Sequence, residues 1–263
     1  DGAGIAAGPD GAPPFPGQDF INPALDLTGA TVVISIESVP DNSPAPFTLK
    51  PLVDGVDDLG PGVLETMGNN AAATNPRNTL LGETQRKWLF DSMSASKGTW
   101  NILAQQVMMA LADRSSAKAP ANYSMDQWPG YAHERAALLK HIQDHKITNP
   151  VVLTGDIHSN WANELRIDDF KQEQAIIASE FVTTSLSSGG NGSATIKGLD
   201  EYLGRNPCTK FHNRERGYIM CDVTAKTYTA DYKVIDEVLK PGGKTTSRAK
   251  FTVEAGTPKI HKA

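Results

Sequence analysis

The sequence predicts a layered α/β domain with an antiparallel sheet packed beside it, and three observations support this class. Two stretches with the hydrophobic period of a helix alternate with two apolar strands between residues 81 and 156. Four further strand-like stretches, separated by turn-rich text, follow toward the C-terminus. The first 78 residues are rich in Gly, Ala, Pro, Asn and Asp. We therefore expect an irregular N-terminal segment, 1–78, followed by one domain, 79–263.

The N-terminal segment contains one clear strand signal. β-Branched residues crowd "TVVISIESV" (31–39), and the proline-rich "PDNSPAPF" ends this stretch. We expect one or two strands in an otherwise irregular segment, because the opening "DGAGIAAGPDGAPPFPGQDF" favours turns. That opening also lacks a basic stretch followed by an apolar one, so no signal peptide is visible in this sequence.

Two amphipathic helices are predicted in the domain, each followed or preceded by a strand. The first helix, "LLGETQRKWLFDSMSAS", places Leu81, Trp88 and Leu89 on one face. The strand "TWNILAQQVMM" follows it. The second helix, "YAHERAALLKHIQDHK", repeats Leu138 and Ile142 at helical spacing and leads into the strand "VVLTGD". This order predicts largely apolar strands that are covered on both faces.

The C-terminal part is predicted to consist mainly of strands. The four stretches are "AIIASEFVTTSL", "RGYIMCDVT", "TYTADYKVI" and "RAKFTVEAG". Turn-rich text separates them, including the glycine-rich "SSGGNGSATIKG". We expect these strands to form an antiparallel sheet beside the α/β part.

Charge and hydropathy argue against two classes of partner. The formal net charge is −5, and no Lys- and Arg-rich run interrupts it, so we expect no nucleic acid as a binding partner. No apolar stretch approaches the roughly 18 residues that a membrane-spanning helix needs, so no transmembrane segment is expected.

Asp156 and His158 follow the most apolar strand directly. An ionised carboxylate is costly to bury beside Val151, Val152 and Leu153 unless a partner compensates its charge. One partner is the backbone, with Asp156 accepting amide hydrogens at a turn. The other is a metal ion, because ligand sites in α/β sheets gather outside the carboxyl ends of strands. An oxygen and an imidazole nitrogen together suit zinc, manganese or iron.

Several motifs in order resemble the C-terminal half of the PhoD-type alkaline phosphatases, which are metal-dependent phosphoesterases. The motifs are "QRKWL", "TWNILAQQVMM", "MDQWPGY", "ERAALL", "NPVVLTGDIHSNWANEL", "EFVTTSLSSGG" and "FHNRERGY". They cover residues 79–257. The resemblance implies a metallophosphoesterase fold, a β-sandwich flanked by helices (αββα), present here in part. It also implies hydrolysis of phosphate monoesters or diesters and a periplasmic or secreted location.

The resemblance further implies a cluster of iron and calcium, with other divalent metals as alternatives. By position, Asp126, Asp156 and His158 match metal ligands, and Asp156 and His158 are the expected catalytic residues. A second set matches residues that shape the site, namely Trp128, Tyr131, Asn160 and Trp161. Asn160, His212 and Arg216 are candidate substrate-binding residues. A solvated loop is an equally good interpretation of His212 and Arg216, and packing is the ordinary role of a tryptophan.

The chain departs from the family in its first half. The family contributes a cysteine ligand and a Gly-Asp-x-x-Tyr motif there, whereas this chain has no Cys before Cys208 and no His before His133. Pro129 also stands where the family has an acidic residue. Besides the phosphate-ester substrate, the expected partner is either a missing N-terminal half or a second copy of the chain, because an unpaired sheet edge promotes association. The alternative function is a non-catalytic remnant or metal-binding module.

Other candidate residues have plainer interpretations. His141 and His145 have the spacing of a metal pair on a helix, but neighbouring charges favour a solvated helix face for them and for His133. Cys208 and Cys221 either pair or remain free. The stretch "VVISIESVPDNSPAPFTLKPLV" resembles, over a short length, the extracytoplasmic module of anti-sigma-like bacterial proteins.

Overall fold

The computed structural model describes residues 73–115 and 119–263. The strand expected at 31–39 and nearly all of the segment 1–78 therefore lie outside the described residues, as does the anti-sigma-like stretch. The boundary between 78 and 79 stays a prediction. Within the described ranges, no helix has both the length and the apolar character required to cross a membrane.

Three α-helices, one 3-10 helix and nine strands make up the described structure. The helices are α1 (Gly82–Ala95), the 3-10 turn Trp128–Tyr131, α2 (Ala132–Asp144) and α3 (Leu199–Arg205). The strands are β1 (Asn101–Ala104), β2 (Pro150–Thr154), β3 (Asn160–Leu165), β4 (Ala178–Val182), β5 (Thr209–Asn213), β6 (Arg216–Val223), β7 (Thr227–Ile235), β8 (Thr245–Glu254) and β9 (Thr257–Lys262). Both predicted helices and all six predicted strands of the domain are present.

The first sheet is mixed, with the strand order β1-β2-β4-β3-β5. Strands β1, β2 and β4 run parallel, whereas β3 is antiparallel to both β4 and β5. All residues of β3 and β4 are buried, which is the pattern of strands covered on both faces. The prediction was wrong for β4, which lies beside β2 in this sheet instead of in the antiparallel one. Its continuous burial suits a central position rather than a half-exposed one.

The second sheet is antiparallel throughout, with the order β6-β7-β8-β9. Exposed residues alternate with less exposed ones along most of β6 and along the second half of β8, so one face meets the interior and the other meets solvent. This confirms the predicted antiparallel sheet for three of its strands.

Two hydrophobic cores hold the layers together. The first lies between the helices and the first sheet, where Leu89 of α1, Leu138 of α2 and Tyr202 of α3 pack over Val152 and Val182. The second lies between the two sheets. The described helices thus cover one side of a β-sandwich, which confirms the predicted fold class. Each core residue of this kind contributes roughly 1.5–3 kcal/mol through burial.

Both cysteines are free thiols. Cys208 is fully buried in the first core, and Cys221 lies between the sheets, where it accepts a hydrogen bond from the Tyr228 hydroxyl at 2.8 Å. The structure therefore decides between the two alternatives left open by the sequence.

Candidate functional site

The turn after β2 presents Asp156 and His158 at the carboxyl end of that strand. Both residues have left-handed backbone conformations, with φ of 67° and 55°, and both side chains are exposed. The Gly155 amide donates to the Gln106 carbonyl at 3.2 Å, which joins this turn to the loop after the neighbouring strand β1. The two side chains are thus displayed at the carboxyl end of β2, which is the predicted position. Both are exposed, however, so the expectation that the Asp156 carboxylate is buried and needs a compensating partner was wrong.

A buried glutamine connects Asp156 to the loop that contains Asp126. Gln127 is 2% exposed, and its Nε2 donates to Oδ2 of Asp156 at 3.3 Å. Asp126 is exposed and accepts a hydrogen bond from the Ser124 hydroxyl at 2.7 Å, which lowers the pKa of its carboxyl. A Cβ on Gly130 would lie 2.0 Å from a backbone oxygen of this loop, so the tight turn needs glycine. Gln127, which the sequence analysis missed, is therefore the residue that joins the two acidic loops.

Arg216 holds the His158 turn against the glycine-rich loop. Its Nη1 donates to the His158 carbonyl at 2.7 Å and to the Thr184 hydroxyl at 3.0 Å. Its Nε donates to the Gly190 carbonyl at 2.9 Å, and Nη2 donates to that of Gly189 at 3.4 Å. Arg216 is 6% exposed. Every nitrogen of the guanidinium is engaged with the protein, so this arginine fixes the position of the turn.

Asn160 is similarly engaged inside the protein. Its Nδ2 donates to Oδ1 of Asn213 at 2.6 Å and to the Glu215 carbonyl at 3.3 Å. Its Oδ1 accepts the Thr184 amide at 3.1 Å. Asn160 therefore links β3, β5 and the end of β4 directly behind the His158 turn.

His212 lies beside the site with one ring nitrogen bound. Its Nδ1 lies 3.2 Å from the Asn160 carbonyl, and its ring packs on Trp161 with a centroid distance of 4.0 Å. Burial, opposed by that hydrogen bond, lowers the pKa of His212 to about 4. The imidazole is neutral at pH 7, so Nδ1 donates to the carbonyl and Nε2 keeps its lone pair.

The remaining predicted residues have structural surroundings. Trp128 is buried and donates through Nε1 to Gln105 at 3.0 Å, and Trp161 is buried and donates to Ser159 at 2.7 Å. His145 is exposed, as predicted for the helix face. His141 is half-buried, unlike a solvated residue, because its ring stacks between Phe90 and His145.

A buried charged network behind the site was not predicted. Glu180 of β4 accepts the amides of Met109 at 2.5 Å and Ala110 at 3.1 Å, which fixes the loop after β1. Arg135 of α2 pairs with Asp169 at 2.6 Å, and both side chains are fully buried. Asp169 also accepts amide hydrogens, including that of Leu111 at 2.8 Å. One signal was available in the sequence: Glu180 interrupts the apolar stretch "AIIASEFV".

Glu180 should make folding stability depend on pH. Burial raises the pKa of its carboxyl from 4.5 to about 7. The folded state therefore binds more protons between these values, and the stability that this group contributes is complete below pH 4.5 and is lost as pH rises through 7. Glu180→Gln cannot ionise. We expect its free energy of unfolding to rise by on the order of 3 kcal/mol relative to that of wild type between pH 4.5 and 7. Urea unfolding of both proteins from pH 4.5 to 8 measures this free energy. An equal change with pH in both proteins would contradict the assignment of the pH dependence to Glu180.

The donor chemistry of this site fits a metal ion in part. Asp156 and His158 offer an exposed carboxylate and an exposed imidazole on a fixed turn, which suits a transition metal. Within 73–115 and 119–263, however, no group of three or more His, Cys, Asp or Glu side chains is arranged to hold a metal ion. The structure brings the Asp126 loop to Asp156 through Gln127 and does not gather the three predicted ligands into one cluster.

Comparison with known proteins points consistently to one family. A family model described as PhoD-like phosphatase matches residues 48–232. Alkaline phosphatase D of Bacillus subtilis (strain 168) is 41% identical over 180 residues, which are 68% of this chain and 31% of that protein. A solved structure described as "Structure of PhoD" matches with a TM-score of 0.69 and 39% identity, covering 73% of this chain and 37% of the other. The chain thus spans about a third of the length of these relatives.

Proposed function

Because the chain belongs to the PhoD-like phosphatase family, we propose that it carries the C-terminal part of a site for metal-dependent hydrolysis of phosphate esters, either monoesters or diesters. The observation that carries this proposal is the turn after β2. Asp156 and His158 are displayed there by a constrained backbone, and Gln127 and Arg216 hold that turn from two sides. Such support holds the two side chains in a fixed geometry, which a ligand or catalytic site requires.

We propose Asp156, His158 and Asp126 as ligands for iron and calcium, with the first two as the catalytic residues. Bound metal ions would lower the pKa of an oxygen nucleophile and neutralise charge on the phosphoryl group. The ligand set is incomplete in the described residues, so further ligands must come from the rest of the chain, from a missing N-terminal half or from a second copy. The resemblance to the family supports a periplasmic or secreted location.

The chain's own residues have distinct proposed roles in this reaction. His158 and Asp156 keep their side chains directed to solvent, where a substrate can reach them. Arg216 and Asn160, which were candidates for substrate contact, act instead by positioning, because their polar groups are engaged with the protein. His212 alone of these candidates keeps a ring nitrogen for the substrate, and its lone pair can accept a hydrogen bond from a hydroxyl group.

Hydrolysis of p-nitrophenyl phosphate and of its bis-ester, with iron and calcium supplied, tests this function. We expect His158→Ala to lower kcat by about 100-fold or more, since it removes both a ligand and a catalytic group. His261→Ala is the matched control, because His261 is exposed on β9 in the second sheet. Its rate should equal that of wild type. Equal rates for wild type and His158→Ala would overturn the role of His158.

The second candidate function is a non-catalytic remnant or metal-binding module that keeps half of the fold. One observation favours it: no complete group of metal ligands is formed within the described residues. Elemental analysis of the purified chain separates the two candidates. Two or more tightly held ions per chain support the enzyme, and at most one loosely held ion supports the remnant.

A further inference from the structure

A cleft of about 530 Å³ opens beside the His158 turn. Ile157 and Ser159, the two neighbours of His158 in the chain, both contribute to its wall. Arg114 also lines it and donates to Gln127 at 3.4 Å, and Gln127 in turn contacts Asp156. The cleft is therefore continuous with the candidate site. Its volume suits a small molecule, since ligand pockets measure roughly 300–1,000 Å³.

The lining of this basic cleft carries an excess of positive charge. Its polar lining includes Arg114, Lys197, Tyr202, Arg205, His212 and Arg214. The acidic residue in the lining is Glu201, which pairs with Arg205 at 3.0 Å. Among the residues that the structure describes, the other three cations form no ion pair. These three cations are exposed at the cleft, and their concentration there in a protein of net charge −5 favours an anionic ligand.

The glycine-rich loop holds the cationic wall in place. The Arg214 amide donates to the Ser193 carbonyl at 2.9 Å, and the Ser193 amide donates back to the Arg214 carbonyl at 3.3 Å. A Cβ on Gly192 would lie 1.9 Å from that carbonyl oxygen, so only glycine permits this approach. Lys197 lies four residues beyond Ser193 on the same loop. The pairing fixes the backbone of Arg214 against the loop that carries Lys197, and both residues line the cleft.

We propose that the basic cleft binds a second phosphate group of the substrate, adjacent to the ester that reacts at the His158 turn. This inference rests on the proposed function and adds the class of substrate. The preferred substrate carries at least two phosphate groups, and p-nitrophenyl phosphate, which has one, leaves the cleft empty.

Binding of inorganic pyrophosphate to the full chain in chelator and low salt tests the proposal without any hydrolysis. We expect the double variant Lys197→Gln/Arg214→Gln to bind at least about tenfold more weakly than wild type, because charge-assisted hydrogen bonds are lost. Lys259→Gln/Lys262→Gln, which removes two exposed cations from β9, is the matched control and should bind as wild type does. Isothermal titration calorimetry provides the affinities, and far-UV circular dichroism checks that each variant is folded.

The proposal is overturned if wild type does not bind pyrophosphate, or if the double variant binds as tightly as wild type.

The two proposals fail in distinguishable ways. His158→Ala should bind pyrophosphate as wild type does in chelator, although it loses hydrolysis. Pyrophosphate binding that depends on Lys197 and Arg214, without hydrolysis of any ester, supports the cleft and sinks the phosphatase activity. Hydrolysis without pyrophosphate binding supports the phosphatase activity and overturns the proposal for the cleft.

Discussion

Arg135→Leu should lower the free energy of unfolding by about 3–5 kcal/mol, because it leaves the carboxylate of Asp169 buried without its counter-charge. The loss extends beyond one ion pair. Arg135 also donates to the carbonyls of Met109 at 2.6 Å and Ile167 at 2.9 Å, which lose their donors at the same time. Urea denaturation followed by tryptophan fluorescence measures the change.

Two further variants make this test specific. Lys87→Leu on α1 breaks the exposed pair with Asp91 and should change stability by less than about 1 kcal/mol. Adding Asp169→Asn to Arg135→Leu removes the stranded charge and keeps one oxygen, which can accept one of the two amides, of Leu111 and Arg166, that the carboxylate binds. The double variant should then lose less than the sum of the two single losses. Additive losses would show that the charge pair itself is not the cause.

Arg216→Ala should lower both stability and hydrolysis, although the arginine is not proposed to touch the substrate. The substitution leaves the carbonyls of His158 and Gly190 and the Thr184 hydroxyl without their donor. An unpaired buried acceptor costs about 1–3 kcal/mol, and because two of these three acceptors are only partly buried, we expect a total loss near 3 kcal/mol. We expect kcat to fall about tenfold or more, since a small displacement of catalytic groups is costly.

The matched control for Arg216 is Arg248→Ala. Arg248 is a partly exposed arginine of β8 whose guanidinium pairs with Glu215 at 2.5 Å, and its loss should leave kcat within about twofold. Rates are compared at a temperature where circular dichroism shows every variant folded. Arg216→Lys keeps the charge but cannot make the same set of hydrogen bonds, so it should recover only part of the rate. A kcat for Arg216→Ala equal to that of wild type would refute the positioning role.

The sequence was sufficient to place the main elements and the loop at the site. Helices α1 and α2 were predictable because their apolar residues repeat at helical spacing, and β2 because an unbroken apolar stretch ends in Gly155 and Asp156. The position of Asp156 and His158 at the carboxyl end of that strand followed from the general geometry of α/β sheets. Their exposure did not, because the apolar residues of β2 suggested a buried carboxylate.

The contacts that support the site were not predictable from local patterns. Gln127 and Asp156 are 29 residues apart, and Arg216 and His158 are 58 apart. No periodicity reports a contact across such separations, because these pairs are created by the packing of strands from distant parts of the chain. The position of β4 was missed for the same reason: its pairing with β2 depends on the whole sheet and not on its own residues.

The left-handed backbone at Asp156 and His158 bears on evolution as well as on chemistry. Such conformations cost a residue with a Cβ about 1–2 kcal/mol, whereas glycine adopts them freely. Glycine would relieve this strain but would add conformational entropy to the unfolded chain. Lys146 and Asn149 adopt the same conformation outside the site, so the case for keeping Asp156 and His158 rests on the acid and imidazole groups that they supply. Engineers who stabilise this protein with consensus or computationally chosen substitutions should leave these two residues unchanged.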